Sequence, residues 1–500
     1  ALSSAASDVY KRQDISHAQK RNIGFEYIID QLTPSSPYGA ALVKRIKIYA
    51  PSERERLEAD LDNVERAVEA VREFPKRFSM LRRHMAALKD IRRSVETLDR
   101  LELSDVELFE LKRYLLQLEL IAPEFKEINR HARFHDIIIE PLTCALNILD
   151  PDGGRIAAFH ISGGLSEKLA SIRAEKRRIE DAIRAETKVE AREALRLKRT
   201  EIVAREDGEE DRLRRELCEK LAVYKRPILE SMDNMARFDF TLARAALALR
   251  LNAKRPVITE GKMRLDGMIN PQTAESLKAR GSSFAPISIA LERGAAVVTG
   301  ANMGGKSVAL KTIALNVFCA HCALFVFAEN AELPLFDAMH LISEDLEDDS
   351  RGLSSFGAEI VRFNEALEDI KGKGLSLLLL DEFARGTNPD EGAMIVKGIV
   401  SYLGKMNAIS VLTTHYDNVA NYAAAHYRVV GLKGVDMDRL KAEIGLSGKG
   451  GVEIIERHMN YGLFLVEDSS GAPRDALNIC RLLGMDGAVM EAITGKTRNP

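Results

Sequence analysis

Two stretches of this chain carry residue types suited to handling phosphate. The first, Gly300-Ala301-Asn302-Met303-Gly304-Gly305-Lys306-Ser307, fits the spacing G-x-x-x-x-G-K-[ST]. It follows an apolar run over 295–299 that predicts a strand, and it opens a segment whose Leu310, Ile313 and Ala314 predict a helix. Gly300, Gly304 and Gly305 let the backbone curl so that several N–H groups, with Asn302 among them, converge on a phosphate; the helix N-terminus adds positive potential. Lys306 is then placed to reach the outer phosphates and Ser307 to ligate magnesium. The second stretch, Leu377-Leu378-Leu379-Leu380-Asp381-Glu382, is an apolar strand ending in two carboxylates. Taken alone it is equally a structural strand end. Beside the phosphate loop, Asp381 reads as holding magnesium through its water shell and Glu382 as accepting a proton from an attacking water.

Three weaker signals accompany these. Thr413-Thr414-His415 follows another apolar run, and His415 there is placed to donate a hydrogen bond to a terminal phosphate, although a lone histidine at a strand end is ordinarily packed or solvated. Ala384-Arg385-Gly386-Thr387-Asn388-Pro389-Asp390-Glu391-Gly392 lies between them. Upstream, Gly352-Leu353-Ser354-Ser355-Phe356-Gly357-Ala358-Glu359 offers hydroxyls and N–H groups at an expected helix start; its bland reading is a capping box, with Ser355 and Glu359 one position off that pattern.

The elements that must position these groups follow from periodicity. From Arg255 onward, short apolar strands alternate with helical patterns and glycines, which predicts a mainly parallel sheet flanked by helices, its clearest strands at 295–299, 375–380 and 409–413. The N-terminal half reads differently. Residues 23–32 predict a helix, 33–39 a turn-rich break, and Leu57, Leu61, Val64, Val68 and Val71 a helix with one buried stripe behind a Ser52/Glu55 capping box. Helical periodicity runs on to about Arg130, with a basic section between Arg72 and Arg93 that is either a solvated face or a nucleic-acid or partner surface. After a turn at Asp150-Pro151-Asp152-Gly153-Gly154 and a short expected strand over 156–161, a heptad seam at Leu165, Leu169, Ile172, Ile179 and Ile183 resumes at Leu213, Leu217, Leu221, Tyr224 and Ile228. With a turn placed at Glu206-Asp207-Gly208-Glu209, this predicts an antiparallel charged hairpin whose first arm reaches roughly 60 Å; the alternative is one long kinked surface helix.

Composition bounds the partners. The chain has 500 residues, enough for two to four domains, and 46% hydrophobic with 29% charged residues excludes global disorder. Lys plus Arg total 72 against 75 Asp plus Glu, so any nucleic-acid contact is local rather than a property of the whole surface. The five cysteines are odd in number and scattered, as in a chain kept in a reducing cytosol, and no apolar run has the length of a membrane span. Cys319-Ala320-His321-Cys322 falls inside a predicted helix with no second ligand pair at finger-like spacing, so it is read as packing and not as a metal site. Residues 1–13 resemble translated adapter read-through and are set apart from the fold.

Taken in order, the Asn-Met-Gly-Gly-Lys-Ser loop, the Ser-Ser-Phe segment, the Asp-Glu strand end, the Arg-Gly-Thr loop and the Thr-His pair make residues 255–482 resemble the ATPase domain of the MutS family. The resemblance implies an α plus α/β multidomain chain: a helical MutS-like core over 14–162, a lever- and clamp-like charged hairpin over 163–254, and an ABC-type P-loop α/β ATPase domain over 255–500 with a C-terminal helical dimerisation region. It implies ATP and magnesium at Gly300, Asn302, Gly304, Gly305, Lys306 and Ser307, metal at Ser307 and Asp381, catalysis by Lys306, Glu382 and His415, and Ser354 and Ser355 acting in trans. A dimer, of identical chains or of paralogues, with two composite sites follows from that last role.

Departures from the family matter as well. The mismatch-reading domain with its Phe-x-Glu wedge has no counterpart here, and Pro286-Ile287-Ser288 stands where mismatch-repair members often carry Asn-Asp, leaving the adenine contact open. The wording of the loops is closer to MutS paralogues without a reader domain. It is also similar to the MutS-like ATPase proposed to reactivate a cobalamin-dependent lysine 5,6-aminomutase, as is the tail from Met459-Asn460-Tyr461 to Pro473-Arg474-Asp475-Ala476-Leu477. Two function classes follow. One is a DNA-transaction ATPase, a clamp related to mismatch repair; the other is a protein-remodelling reactivase. An acidic run over 206–211, as the hairpin tip, is poor for releasing counterions from DNA and does not oppose the second; the DNA reading is still placed first, as the broadest role that the resemblance implies.

Overall fold

The computed structural model describes residues 16–494 apart from 101, 152, 157–165, 301–304, 344–354, 417, 433–434, 448–450, 467–479 and 481. By contacts the chain divides into two units. One comprises the described residues up to Leu32, Lys47–Leu61 and everything from Leu247 onward; the other comprises Thr33–Ile46 and Asp62–Ala246. This division is drawn differently from the three modules expected from sequence. In particular, the helices His17–Asn22 and Phe25–Asp30 belong with the α/β unit, where the Phe25 ring meets Phe318 edge-on at 4.6 Å.

Among its described residues the second unit is helical. Its longest core element, α1 (Asp105–Ala132), starts at Ser104, whose hydroxyl accepts the Glu107 N–H while the Glu107 carboxylate accepts the Ser104 N–H. Leu108, Leu111, Leu115, Leu118, Ile121 and Phe125 repeat at intervals of three and four and are all buried. The turn-rich break before Pro37–Val43 is held by buried Asp239, which accepts the Ser35 N–H (2.9 Å), the Ser36 N–H (2.6 Å) and the Ser36 hydroxyl (2.6 Å). Burial pushes the Asp239 carboxyl up despite these donors. In the basic section, Arg77, Lys89 and Arg92 pair with Glu124, Glu110 and Asp233 of the same unit, at 2.6, 2.5 and 2.6 Å.

The charged hairpin forms, but its turn is not where sequence placed it. α2 (Glu167–Ala185) ends at Glu186, and α3 (Val189–Ala222) runs straight through Glu206-Asp207-Gly208-Glu209. The arms have 19 and 34 residues, about 29 and 51 Å at ~1.5 Å per residue. The reason lies in the seam. Ile202, Glu206, Glu209 and Leu213 follow at intervals of four, three and four and are all buried, so two seam positions of α3 are glutamates. They are held by cations of the facing arm: Lys168 to Glu209 (2.8 Å), Arg173 to Glu206 (3.2 Å) and Lys176 to Glu206 (2.5 Å). Arg199–Glu180 and Arg205–Glu175 continue the ladder. The expected Ser52/Glu55 capping box is also displaced: a 3-10 turn at Pro51–Glu53 precedes the helix Arg54–Glu73, and the Ala50 N–H donates to Glu53 instead. Of the strand expected over 156–161, all but Ile156 lies outside the described residues, and Ile156 itself is coil.

The first unit holds ten described strands, β1 (Val257–Thr259), β2 (Met263–Met268), β3 (Ile287–Leu291), β4 (Gly294–Thr299), β5 (Asn330–Pro334), β6 (Ala338–Ile342), β7 (Ser376–Leu380), β8 (Ala408–Thr413), β9 (Ala425–Gly431) and β10 (Asn460–Leu465). They make a mixed four-stranded sheet in the order β1-β5-β2-β3 and a six-stranded sheet in the order β10-β9-β4-β8-β7-β6. The larger sheet is parallel except where β10 runs against β9. β7 and β8 are buried along their whole length, as continuous apolar runs in a parallel sheet must be. The helix α4 (Lys306–His321) leads from β4 to β5 of the smaller sheet, while α5 (Ser355–Ile370) connects β6 to β7 and α6 (Pro389–Leu403) connects β7 to β8. Because β4, β8 and β7 are neighbours, the C-terminal ends of the three strands singled out in the sequence open at one place.

Candidate functional site

At the end of β4, Gly300 has φ +147° and a Cβ there would lie 3.1 Å from Val429 Cβ. Gly305 caps α4 with φ +87°, and a side chain there would collide with the Tyr461 ring, 2.0 Å from Cδ1. Both positions therefore require glycine, for backbone conformation and for room. Lys306, the first residue of α4, is buried; its ammonium donates to the Gly300 carbonyl at 2.8 Å and lies 3.0 Å from Glu382 Oε1. Ser307, next along the helix, hydrogen-bonds the Asp381 carboxylate.

The acidic side of the site is built by β7 and β8. Leu380 pairs with Leu412, which sets Asp381 beside Thr413, and the Thr413 hydroxyl donates to Asp381 Oδ1 at 2.7 Å while accepting the Glu382 N–H at 2.8 Å. Burial raises the Asp381 carboxyl above its usual range, and the adjacent Glu382 charge adds to this; hydrogen bonds from Thr413 and Ser307 and the Lys311 charge oppose it. A divalent cation would reverse that balance, so the pair Ser307 and Asp381 suits a metal shell in charge and in oxygen chemistry. Glu382 itself has φ +46°, a left-handed backbone unusual for a glutamate, and Ala384 follows with φ +64°. The turn aims the Glu382 carboxylate back over Lys306, with Arg385 Nη1 3.3 Å from its other oxygen.

Two groups fix that turn. Buried Glu359 of α5 accepts the Ala384 N–H at 2.8 Å, and the Tyr416 hydroxyl donates to the Ala384 carbonyl at 2.6 Å. Glu359 thus serves the loop after β7, in contrast to its bland reading as a cap for Ser355, and no short-range pattern announces a bond between residues 25 apart. His415 is exposed at the mouth. Partial burial lowers its pKa, Glu382 opposes this, and Lys306 and Arg385 reinforce it, so the ring is neutral at pH 7 with one N–H to donate.

Gly300, Gly305, Lys306, Ser307, Asp381, Glu382 and His415 are therefore brought to one end of the larger sheet. Asn302, Gly304 and Ser354 lie outside the described residues; Ser355 opens α5. Cys319 and Cys322 are buried, and His321 between them is used at both ring nitrogens, by the Tyr49 carbonyl (3.0 Å) and the Phe336 N–H (3.2 Å).

A strand ending at Gly300 and a helix opening on a buried lysine behind Gly305, set beside a neighbouring strand that ends in two carboxylates, make an α/β arrangement whose chemistry suits a phosphate-bearing ligand at a helix N-terminus. Residues 296–481 match the family model of MutS domain V. The matched residues include Lys306, Ser307, Asp381, Glu382 and His415, so the site-bearing part of the chain is the part similar to the MutS family. Relatives include proteins named endonuclease MutS2 from Shouchella clausii (32% identical over 227 residues, 45% of this chain and 28% of that protein) and Geobacillus thermodenitrificans (30% over 289 residues, 56% and 35%). The one from Brevibacillus brevis is 27% identical over 399 residues, 77% of this chain and 48% of that protein. The chain spans at most about half the length of these relatives. Among the described residues no helix is long and apolar enough to cross a membrane.

Proposed function

We propose that this chain binds ATP with magnesium and hydrolyses it to ADP and phosphate, using the cluster of Lys306, Ser307, Asp381 and Glu382. The observation that carries the reading is the buried Lys306 held between the Gly300 carbonyl and Glu382, directly beside the hydrogen-bonded pair Ser307 and Asp381. Bound magnesium supplies positive charge to the phosphate oxygens. Ser307 and Asp381 hold it. Lys306 exchanges Glu382 for the outer phosphates, which frees that carboxylate to take a proton from water. His415, neutral and at the rim, donates its N–H to the terminal phosphate, and Thr413 keeps Asp381 and the Glu382 backbone in register throughout. Lys306→Ala should weaken nucleotide binding by at least tenfold and abolish turnover; unchanged ATP affinity in that variant overturns the proposal.

We further infer a dimer in which Ser354 and Ser355 of one protomer close over nucleotide held by the other, and a role in a DNA transaction related to repair or recombination. Kinship with MutS2 proteins supports this. The acidic run over 206–211 no longer counts against DNA at the hairpin tip, because it lies within α3 and two of its glutamates, Glu206 and Glu209, are buried against the opposite arm. At the actual turn, Arg184, Lys188, Arg192 and Arg196 balance Asp181, Glu186, Glu190 and Glu193. The endonuclease activity in the relatives' names is not carried over, since the aligned part covers less than half of each of them. ATP turnover measured with duplex and branched DNA at physiological salt, and in parallel with a cobalamin-dependent aminomutase, separates the two classes: stimulation by the enzyme and none by DNA sinks the DNA reading.

A further inference from the structure

One buried hydroxyl at the edge of this site has no hydrogen-bond partner among the described residues. Ser343 directly follows β6, which pairs with β7 in parallel register up to Ile342 opposite Leu380. The Asp381 N–H donates to the Ile342 carbonyl at 2.8 Å, the bond that closes the Ile342–Leu380 pair, and the next residues along the two strands are Ser343 and Asp381. On the other flank, the pairing of Leu380 with Leu412 sets Thr413 beside Asp381. Paired positions on adjacent strands present their side chains to the same face. Ser343, Asp381 and Thr413 therefore form a transverse row of hydroxyl, carboxylate and hydroxyl on the face where Asp381 meets Ser307.

The two hydroxyls of the row differ in one respect. Thr413 uses its hydroxyl both ways, donating to Asp381 and accepting from Glu382. Ser343 is 3% exposed, and its Oγ has no hydrogen-bond partner among the described residues. Burying an unpartnered hydroxyl costs stability that alanine at the same place would keep. A hydroxyl there is both donor and acceptor, the chemistry needed to hold a metal-bound water.

We propose that Ser343 is a positioning residue for the magnesium water shell, hydrogen-bonding a metal-bound water on the β6 side of Asp381, opposite Thr413. The inference rests on the ATP and magnesium reading above. By this assignment Asp381 is flanked by hydroxyls with separate duties: Thr413 orients the carboxylate, and Ser343 orients the water that the carboxylate holds.

The test uses the whole chain, manganese as the probe metal and a non-hydrolysable ATP analogue, with free manganese read by electron paramagnetic resonance. Wild type should bind manganese in a nucleotide-dependent manner. Ser343→Ala should weaken that binding about tenfold while metal-free nucleotide affinity is unchanged, and Ser343→Thr, which keeps the hydroxyl, should stay within about twofold of wild type. Without nucleotide or metal, Ser343→Ala should melt at or above the wild-type temperature, since the hydroxyl it removes has no partner. Wild-type manganese affinity in Ser343→Ala overturns the inference and leaves the site reading standing. A Ser343→Ala protein that melts several degrees lower, or fails to fold, shows a structural role and also overturns it. No nucleotide-dependent manganese binding in wild type overturns the site reading itself.

Discussion

The Lys306 ammonium and the Glu382 carboxylate lie 3.0 Å apart, the lysine buried and the glutamate held over it by a left-handed backbone at φ +46°. Each is thus the other's counter-ion until phosphate arrives. Glu382→Gln removes the proton acceptor and the competitor for Lys306 in one step. Hydrolysis should fall by about 10²–10⁴-fold, the usual contribution of a positioned base, while ATP affinity is maintained or rises. Single-turnover hydrolysis and equilibrium nucleotide binding measure the two effects; a variant hydrolysing at the wild-type rate removes Glu382 from the mechanism.

Glu359 ties α5 to the loop after β7 through the Ala384 N–H, and that loop contains two non-glycine residues at positive φ. The bond is accepted at Oε2. Glu359→Ala should leave a buried N–H without its partner, cost about 1–3 kcal/mol, and lower kcat for ATP more than it raises KM, because the loop that aims Glu382 is loosened. Glu359→Gln, which keeps a carbonyl oxygen, should recover most of both. Equal damage in the two variants would show that the negative charge matters instead.

How much of this was legible in the chain depends on whether a contact is local. Lys306, Ser307, Asp381 and Glu382 could be read because loop spacing and the fully buried β7 fix them in sequence, and the sheet order then places the two motifs together. The turn of the hairpin was misplaced because Glu206 and Glu209 occupy seam positions usually apolar, and only the facing Lys168, Arg173 and Lys176 make those positions tolerable. The tie from Glu359 to Ala384 and the place of Ser343 were missed for a related reason: they come from a loop brought in from elsewhere and from strand register, which no local pattern encodes.

His321 makes acid sensitivity testable. Its ring is fully buried, donating from Nδ1 to the Tyr49 carbonyl and accepting the Phe336 N–H, and burial depresses its pKa to about 4 from an ordinary 6.5. A depressed histidine favours the folded state above pH 6.5, and that contribution is lost as pH falls through 6.5 toward 4, where the unfolded chain binds the extra proton. The loss amounts to on the order of 3 kcal/mol. Denaturant unfolding from pH 7 to 4 should therefore show a steeper decline for wild type than for His321→Gln, which cannot take up the proton; parallel curves would remove His321 from the acid response.

Gly208 decides between a turn and a helix interior in the charged hairpin. It is exposed within α3, its φ is not positive, and a Cβ there meets nothing within 4 Å. A glycine inside an exposed helix costs about 1 kcal/mol relative to alanine, a cost offset here by the inter-arm pairs of Glu206 and Glu209 on either side. Gly208→Ala should therefore stabilise the hairpin by about 0.5–1 kcal/mol, seen as slower amide exchange across 200–215. Glu206→Ala should do the reverse, because it removes a carboxylate that Arg173 and Lys176 share at a buried seam position. If Gly208→Ala instead accelerates exchange around it, position 208 needs the backbone freedom of a turn, and the reach of the arm returns to residues 206–209.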